Sequence, residues 1–156
     1  MRINKLKLTR YGSFTDRVID FGEQAANGES SKPDLHIVFG PNEAGKSTLR
    51  SAVIDFMYGF ERQSRYAFLH QNNALQLEAN VSAGTQRFDL MRVKRASNSL
   101  LEASGDPVGD DLLLPLLGQV SRESYVSMFS LDEDLLEEGG ESILASKGDL
   151  SELLFS

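Results

Sequence analysis

Gly40-Pro41-Asn42-Glu43-Ala44-Gly45-Lys46-Ser47-Thr48 matches G-x-x-x-x-G-K-[ST] at every fixed position. The run Leu35-His36-Ile37-Val38-Phe39 leads directly into it and reads as a strand. Behind it, Leu49, Ala52, Val53, Phe56, Met57 and Phe60 recur at three- and four-residue steps, the period of a helix with one apolar face. Strand, glycine loop and helix in that order are the context that distinguishes a phosphate-binding loop from a chance match. Gly40 and Gly45 permit backbone angles and close approaches that a side chain blocks. The loop amides, Asn42 through Thr48, and the helix N-terminus then present partial positive charge to a polyphosphate. Lys46 is the residue expected to reach the β- and γ-phosphates, and the Ser47 hydroxyl the one expected to ligate Mg²⁺. The plain alternative is a glycine turn before an ordinary helix. The pattern favours a nucleoside triphosphate, with all nine residues from Gly40 to Thr48 as its cradle.

Working outward, 156 residues suit one domain at a prior of about 150 residues each, and 40% apolar content suffices for an ordinary core. The chain has no cysteine, which excludes disulfides and cysteine metal sites. Met1-Arg2-Ile3-Asn4-Lys5 lacks the apolar stretch of a secretory signal, and no run approaches the ~20 apolar residues of a membrane span. A reducing cytoplasm is the expected compartment. The net charge of −7 conceals a division. Residues 1–101 carry 14 basic and 10 acidic side chains, whereas residues 102–156 carry 2 basic and 13 acidic ones. The acidic final third suits either a solvated face or a basic partner surface, and it disfavours a nucleic-acid backbone.

Before the loop, Leu6 and Leu8 alternate with Lys5, Lys7 and Thr9, Gly12-Ser13 makes a turn, and Val18-Ile19-Asp20-Phe21 returns as a hairpin partner. Residues 22–34 read as loop. After the helix, residues 61–73 are polar and irregular. Leu75, Leu77, Ala79 and Val81 then alternate with polar residues, and Ala83-Gly84-Thr85-Gln86 turns the chain into Phe88 and Leu90. The apolar phase moves to Met91 and Val93, which suggests a bulge or crossing there. Leu100-Leu101 is strand-like and Gly105-Asp106-Pro107 a turn. Short helical pieces are expected over 110–117, 121–130 and 132–138, with Ser121 and Ser124, and Asp132 and Glu133, at their starts. The expected fold class is α/β, with a mixed or antiparallel sheet beside the phosphate-loop helix.

The N-terminal "Ile-Asn-Lys-Leu-Lys-Leu-Thr-Arg-Tyr-Gly-Ser-Phe", the "Val-Ile-Asp-Phe" strand and "Val-Phe-Gly-Pro-Asn-Glu-Ala-Gly-Lys-Ser-Thr-Leu" together resemble the N-terminal ATPase lobe of the SMC/SbcC/RecF group of ABC-type ATPases. Glu43 in the loop, "Asp-Phe-Met-Tyr-Gly-Phe" and "Leu-Leu-Glu-Glu-Gly-Gly-Glu" are similar to its YhaN-like branch. The resemblance spans nearly the whole chain. It implies an ATPase head divided between the two ends of a long polypeptide joined by a coiled coil, with 1–156 as the N-terminal lobe. ATP and Mg²⁺ are the implied cofactors. The implied partners are the chain's own C-terminal lobe, a second head engaged across two ATP molecules, DNA, and an SbcD-type nuclease. The apolar ending Leu153-Leu154-Phe155-Ser156 reads as a cut through a longer protein.

Several features depart from a complete ATPase. Met128-Phe129-Ser130-Leu131-Asp132-Glu133 is the nearest approach to a Walker B strand, but Ser130 interrupts it. In the resembled group this neighbourhood is the glutamine loop, where no glutamine stands and Asp132 or Glu133 would have to serve as the oxygen ligand. Glu138-Gly139-Gly140-Glu141 lacks the serine of a signature motif and reads as a helix end. Arg87, Arg92, Lys94 and Arg95 form a basic strand pair, either a DNA contact or a solvated face. His36 reads as a core histidine, and His70 has no second ligand at metal spacing. Three functions remain open: a split-head lobe that binds ATP and turns it over little by itself, a stand-alone small NTPase or kinase using Asp132 and Glu133, and an interaction domain holding a structural nucleotide.

Overall fold

Two of the hairpins among the described residues turn on a glycine. Gly12 (φ +60°) and Gly84 (φ +58°) each open a two-residue turn, closed by the pairs Tyr11–Phe14 and Ala83–Gln86. A left-handed first position costs glycine nothing and matches the twist of the flanking strands. The computed structural model describes residues 1–22 and 35–130. Its strands are β1 (Arg2–Tyr11), β2 (Phe14–Asp20), β3 (Gln76–Ala83), β4 (Gln86–Val93) and β5 (Leu100–Glu102). They form one sheet in the order β2-β1-β3-β4-β5, antiparallel at every interface. The helices are α1 (Lys46–Tyr58), a short α2 (Leu113–Leu116) and α3 (Arg122–Phe129). The fold is α/β as expected, and the sheet is wholly antiparallel rather than mixed.

The chain divides into two compact units, Met1–Gln119 and Val120–Ser156. In the first, α1 packs on the sheet face that carries Leu6, Leu8, Leu77, Ala79, Val81 and Leu90, all buried. The helix contributes Leu49, Ala52, Ile54, Phe56 and Met57, while Val53 is only half-buried. In the second, Ser121 caps α3 by accepting from the Ser124 amide at 3.2 Å, as its place before the helical pattern anticipates. The expected helix over 132–138 lies outside the described residues. Among the described residues no helix is long and apolar enough to cross a membrane.

Two expectations are corrected by the sheet. The β3–β4 register runs without interruption from Gln76–Val93 to Ala83–Gln86, so no bulge lies at Met91. The irregularities are in β1, between Ile3 and Lys5 and between Leu8 and Arg10. The apparent phase change in β4 arises because the residue facing the core after Leu90 is Arg92, 1% exposed, leaving Met91 and Val93 half-buried. Arg92 donates from Nε to the Phe56 carbonyl (3.0 Å), from Nη2 to the Met57 carbonyl (3.2 Å) and from Nη1 to Ser99 Oγ (2.9 Å). Phe56 and Met57 lie in the last turn of α1, where carbonyls have no partner within the helix and the dipole favours a cation. No basic residue of α1 occupies that turn, so the sheet supplies the charge.

The second correction concerns 35–39. This run takes no part in the five-stranded sheet and has no strand assignment, and Leu35, Ile37, Val38 and Phe39 are 76%, 81%, 51% and 92% exposed. His36 is accordingly exposed rather than a core residue, its ring set edge-on to Phe21 at 5.2 Å.

Two polar residues on α1, Ser51 and Asp55, are buried as well. With the half-buried Thr48 they stand at three- and four-residue steps and form one stripe along the helix. Tyr11 donates its hydroxyl to Asp55 Oδ2 at 2.7 Å, the Tyr66 and Ser51 hydroxyls meet at 2.7 Å, and the two tyrosine rings stack at 5.0 Å. Tyr11→Phe removes a buried donor from a carboxylate and should destabilise the fold by about 2 kcal/mol. Urea denaturation measures this; an unchanged midpoint would mean the hydroxyl contributes nothing.

Candidate functional site

The glycine loop lies at the N-terminal end of α1, and its geometry follows from a few local choices. Gly45 is the residue before the helix, at φ +90° and ψ 19°, a left-handed conformation that few side chains tolerate. Gly40 has no such angle; its constraint is space, since a Cβ there would stand 3.1 Å from Ala44 Cβ. The loop folds over itself as the Ala44 amide donates to the Pro41 carbonyl at 3.3 Å, and Glu43 sits at φ +65°. That angle is uncommon for glutamate and costs it on the order of 1 kcal/mol. Gly45 provides no side-chain cap to α1, and no acidic residue occupies the first turn. The partial positive end of the helix is therefore not offset by an acidic side chain of its own first turn.

Lys46 is exposed and donates from Nζ to the carbonyls of Gly40 and Pro41, both at 2.8 Å. Its ammonium is thus drawn across the loop rather than out into solvent, with two of three donors on loop oxygens. An anion placed over the loop would compete with those carbonyls for the same donors. Asn42, Glu43, Ala44 and Ser47 are exposed, and Thr48 is half-buried. The structure brings all nine expected residues, Gly40 to Thr48, into one contiguous loop and first turn. Ser47, the expected metal ligand, is exposed at the second position of α1. Asp132 and Glu133, considered above as further acidic ligands, lie outside the described residues, as does Glu138-Gly139-Gly140-Glu141. Among the described residues no group of three His, Asp or Glu side chains comes together.

Two contacts to the loop were not visible in the sequence pattern. A Cβ added to Gly45 would stand 2.4 Å from Phe14 Cζ and 2.7 Å from Cε2, so the Phe14 ring lies directly on that glycine. A Cβ on Gly12 would stand 2.6 Å from Thr48 Cγ2. The β1–β2 turn is thus pressed against both the loop and the first turn of α1. A turn reading Gly12-Ser13-Phe14 announces a reversal, and nothing local announces what its aromatic ring will cover. His70 takes part too: its Nε2 lies 2.9 Å from the Phe14 carbonyl and 3.2 Å from Thr15 Oγ1. A carbonyl oxygen only accepts, so Nε2 must carry the hydrogen.

The expected basic cluster does not assemble. Arg92 is buried under α1, Arg87 and Arg95 are exposed, and Lys94 is half-buried. On the sheet face away from α1, Lys5 pairs with Asp20 (3.3 Å), and Lys7 with Asp16 (3.0 Å) and Glu78 (3.6 Å). The Asp16 hydrogen bond, assisted by Glu78, holds the Lys7 ammonium above its ordinary pKa. These cations are matched by carboxylates and offer little field to a phosphate backbone.

A family model described as an AAA domain matches residues 1–156. The chain belongs to this family. It is also 24% identical over 143 residues to the uncharacterized protein YhaN of Bacillus subtilis (strain 168), a match covering 88% of this chain and 14% of that protein. The AAA domain described here therefore spans about a seventh of the length of the curated relative it matches. No solved structure matches the chain. Membership makes the chain an ATPase-type, nucleotide-binding domain, and it is YhaN-like, in line with the likeness carried by Glu43, Asp55 to Phe60 and Leu135 to Glu141 in the sequence.

Proposed function

We propose that residues 1–156 are the ATP-binding lobe of a split SMC/SbcC-like ATPase head, working in DNA repair or maintenance and needing a complementary lobe for hydrolysis. The observation that carries this reading is the exposed apolar run Leu35–Phe39. A strand that delivers a phosphate loop is ordinarily buried among parallel neighbours. Here four large apolar residues leading into the loop pair with none of the described strands, and the five that are present form an antiparallel sheet of their own. A second lobe carrying parallel strands would bury this run and supply the remaining catalytic groups.

Within that reading the chain's own residues bind and orient. The amides of Asn42 through Thr48 cradle phosphate oxygens, Lys46 exchanges its two loop carbonyls for the β- and γ-phosphates, and Ser47 holds Mg²⁺. The bound Mg²⁺ would neutralise phosphate charge. Phosphoryl transfer depends chiefly on positioning and electrostatics, and the water-orienting glutamate and the signature serine would come from the other lobe. The charge pairing on the sheet face away from α1 supports a reading in which a DNA contact is made elsewhere in the head.

The test is turnover. The purified chain should hydrolyse ATP no faster than its Lys46→Ala variant, and addition of the complementary lobe in trans should restore hydrolysis. Strong magnesium-dependent hydrolysis by the chain alone, abolished by Asp132→Asn or Glu133→Gln, would replace this reading with that of a small self-sufficient NTPase.

A further inference from the structure

We propose that Phe14 is a positioning residue of the nucleotide site. Its ring, seated on Gly45, holds that glycine in the left-handed conformation that aims the Lys46 and Ser47 amides, and so sets affinity for a nucleoside triphosphate. The inference rests on the nucleotide-site reading above and adds a residue outside the loop motif.

Gly45 is the hinge between loop and helix. At φ +90° it joins a segment folded back on itself to the first helical amide, and glycine leaves that angle as easily as it adopts it. On the helix side its carbonyl accepts from the Leu49 amide at 2.9 Å, but no side-chain cap on α1 restrains its φ. The Phe14 ring does so from outside, filling the space a Cβ would occupy. A rotation of Gly45 that swung its Cα hydrogens toward the ring would meet an atom already at contact distance.

The ring can restrain the loop because its own backbone is anchored. The Gly12 amide donates to the Tyr66 carbonyl at 2.9 Å, and His70 Nε2 donates to the Phe14 carbonyl. Through Thr48, Ser51 and Asp55 the hairpin and Tyr66 engage one stripe of α1 over two helical turns. These contacts tie the hairpin to the helix. The anchoring groups are Tyr11, Gly12, Tyr66 and His70, whereas Phe14 itself is only half-buried and lies outside the core. Removing its side chain leaves those anchors intact and frees Gly45.

Two readouts test this. In Phe14→Ala, ATP affinity by calorimetric titration should fall about fivefold, at the same thermal midpoint to within about 3 °C. Without nucleotide, the amides of Gly45 to Thr48 should exchange hydrogen faster, while those of β3 and β4 keep their rates. Phe14→Tyr should restore both. If Phe14→Ala does not fold, Phe14→Leu is measured instead and should show the same changes at smaller size. ATP affinity within twofold of the parent chain, or unchanged exchange at Gly45 to Thr48, would overturn the inference. A parent chain that does not bind ATP would count against the nucleotide site itself, and the exchange measurement would still decide whether Phe14 restrains the loop.

Discussion

Arg92→Ala is expected to lower the stability of the domain by about 3 kcal/mol, the largest effect of any single exchange considered. The guanidinium is buried and serves three acceptors, two of them carbonyls in the last turn of α1. Truncation leaves those carbonyls desolvated with no donor and removes a cation from the negative end of the helix dipole. It also opens a cavity beneath α1. Arg92→Met separates the contributions, because it fills much of the volume without donating and should retain about 1 kcal/mol of the loss. Arg92→Lys keeps the charge but not the fork that reaches two carbonyls and a hydroxyl together, so it should fall between them. Urea titration gives all three values from one set of transitions. A change in Arg92→Ala no larger than about 0.5 kcal/mol, the range of ordinary surface exchanges, would show that these hydrogen bonds do not hold the helix to the sheet.

The second large effect is on binding. Lys46→Ala should weaken ATP binding at least tenfold, equivalent to about 1.4 kcal/mol, and leave stability nearly unchanged. The side chain is exposed and its hydrogen bonds go only to loop carbonyls that solvent can serve equally well. What it would contribute to a bound triphosphate is a full positive charge on the β- and γ-oxygens; Arg50 stands one helical turn further from the loop, and Glu43 adds an opposing charge to it. Calorimetry or fluorescent-ATP titration measures the change. Equal affinity in the two proteins would mean that the loop is not a phosphate site and that Gly40 to Thr48 form an ordinary turn before a helix.

These two residues differ in how far they could be read in advance. Lys46 belongs to a nine-residue pattern whose conformational requirements are local: glycine where φ is +90°, glycine where two Cβ atoms would crowd, and a helix beginning at the lysine. The hairpin turns at Gly12 and Gly84 and the Ser121 cap were legible for the same reason, since each is decided within about four residues. In sequence Arg92 has the look of a surface cation, because charge in a strand usually marks solvent, and its presence at an inward position mimics a shift in the apolar period. Its partners lie 35 and 36 positions earlier in the chain, and no local pattern registers an unserved helix end at that distance.

By itself the sequence determined the glycine loop and its helix, the two glycine-led hairpins, the capped α3 and the family to which they point, because backbone angles, caps and alternation act over a few residues. Only the tertiary structure decided which polar residues lie inside. It placed Arg92 under the end of α1, Ser51 and Asp55 against two tyrosines, and Phe14 on Gly45, and it left Leu35–Phe39 outside the antiparallel sheet. A buried polar group is tolerated only where a distant partner satisfies it, and an apolar strand is buried only where neighbouring strands exist to receive it. Both conditions are set by what the folded chain brings together, and neither is written at the residue concerned.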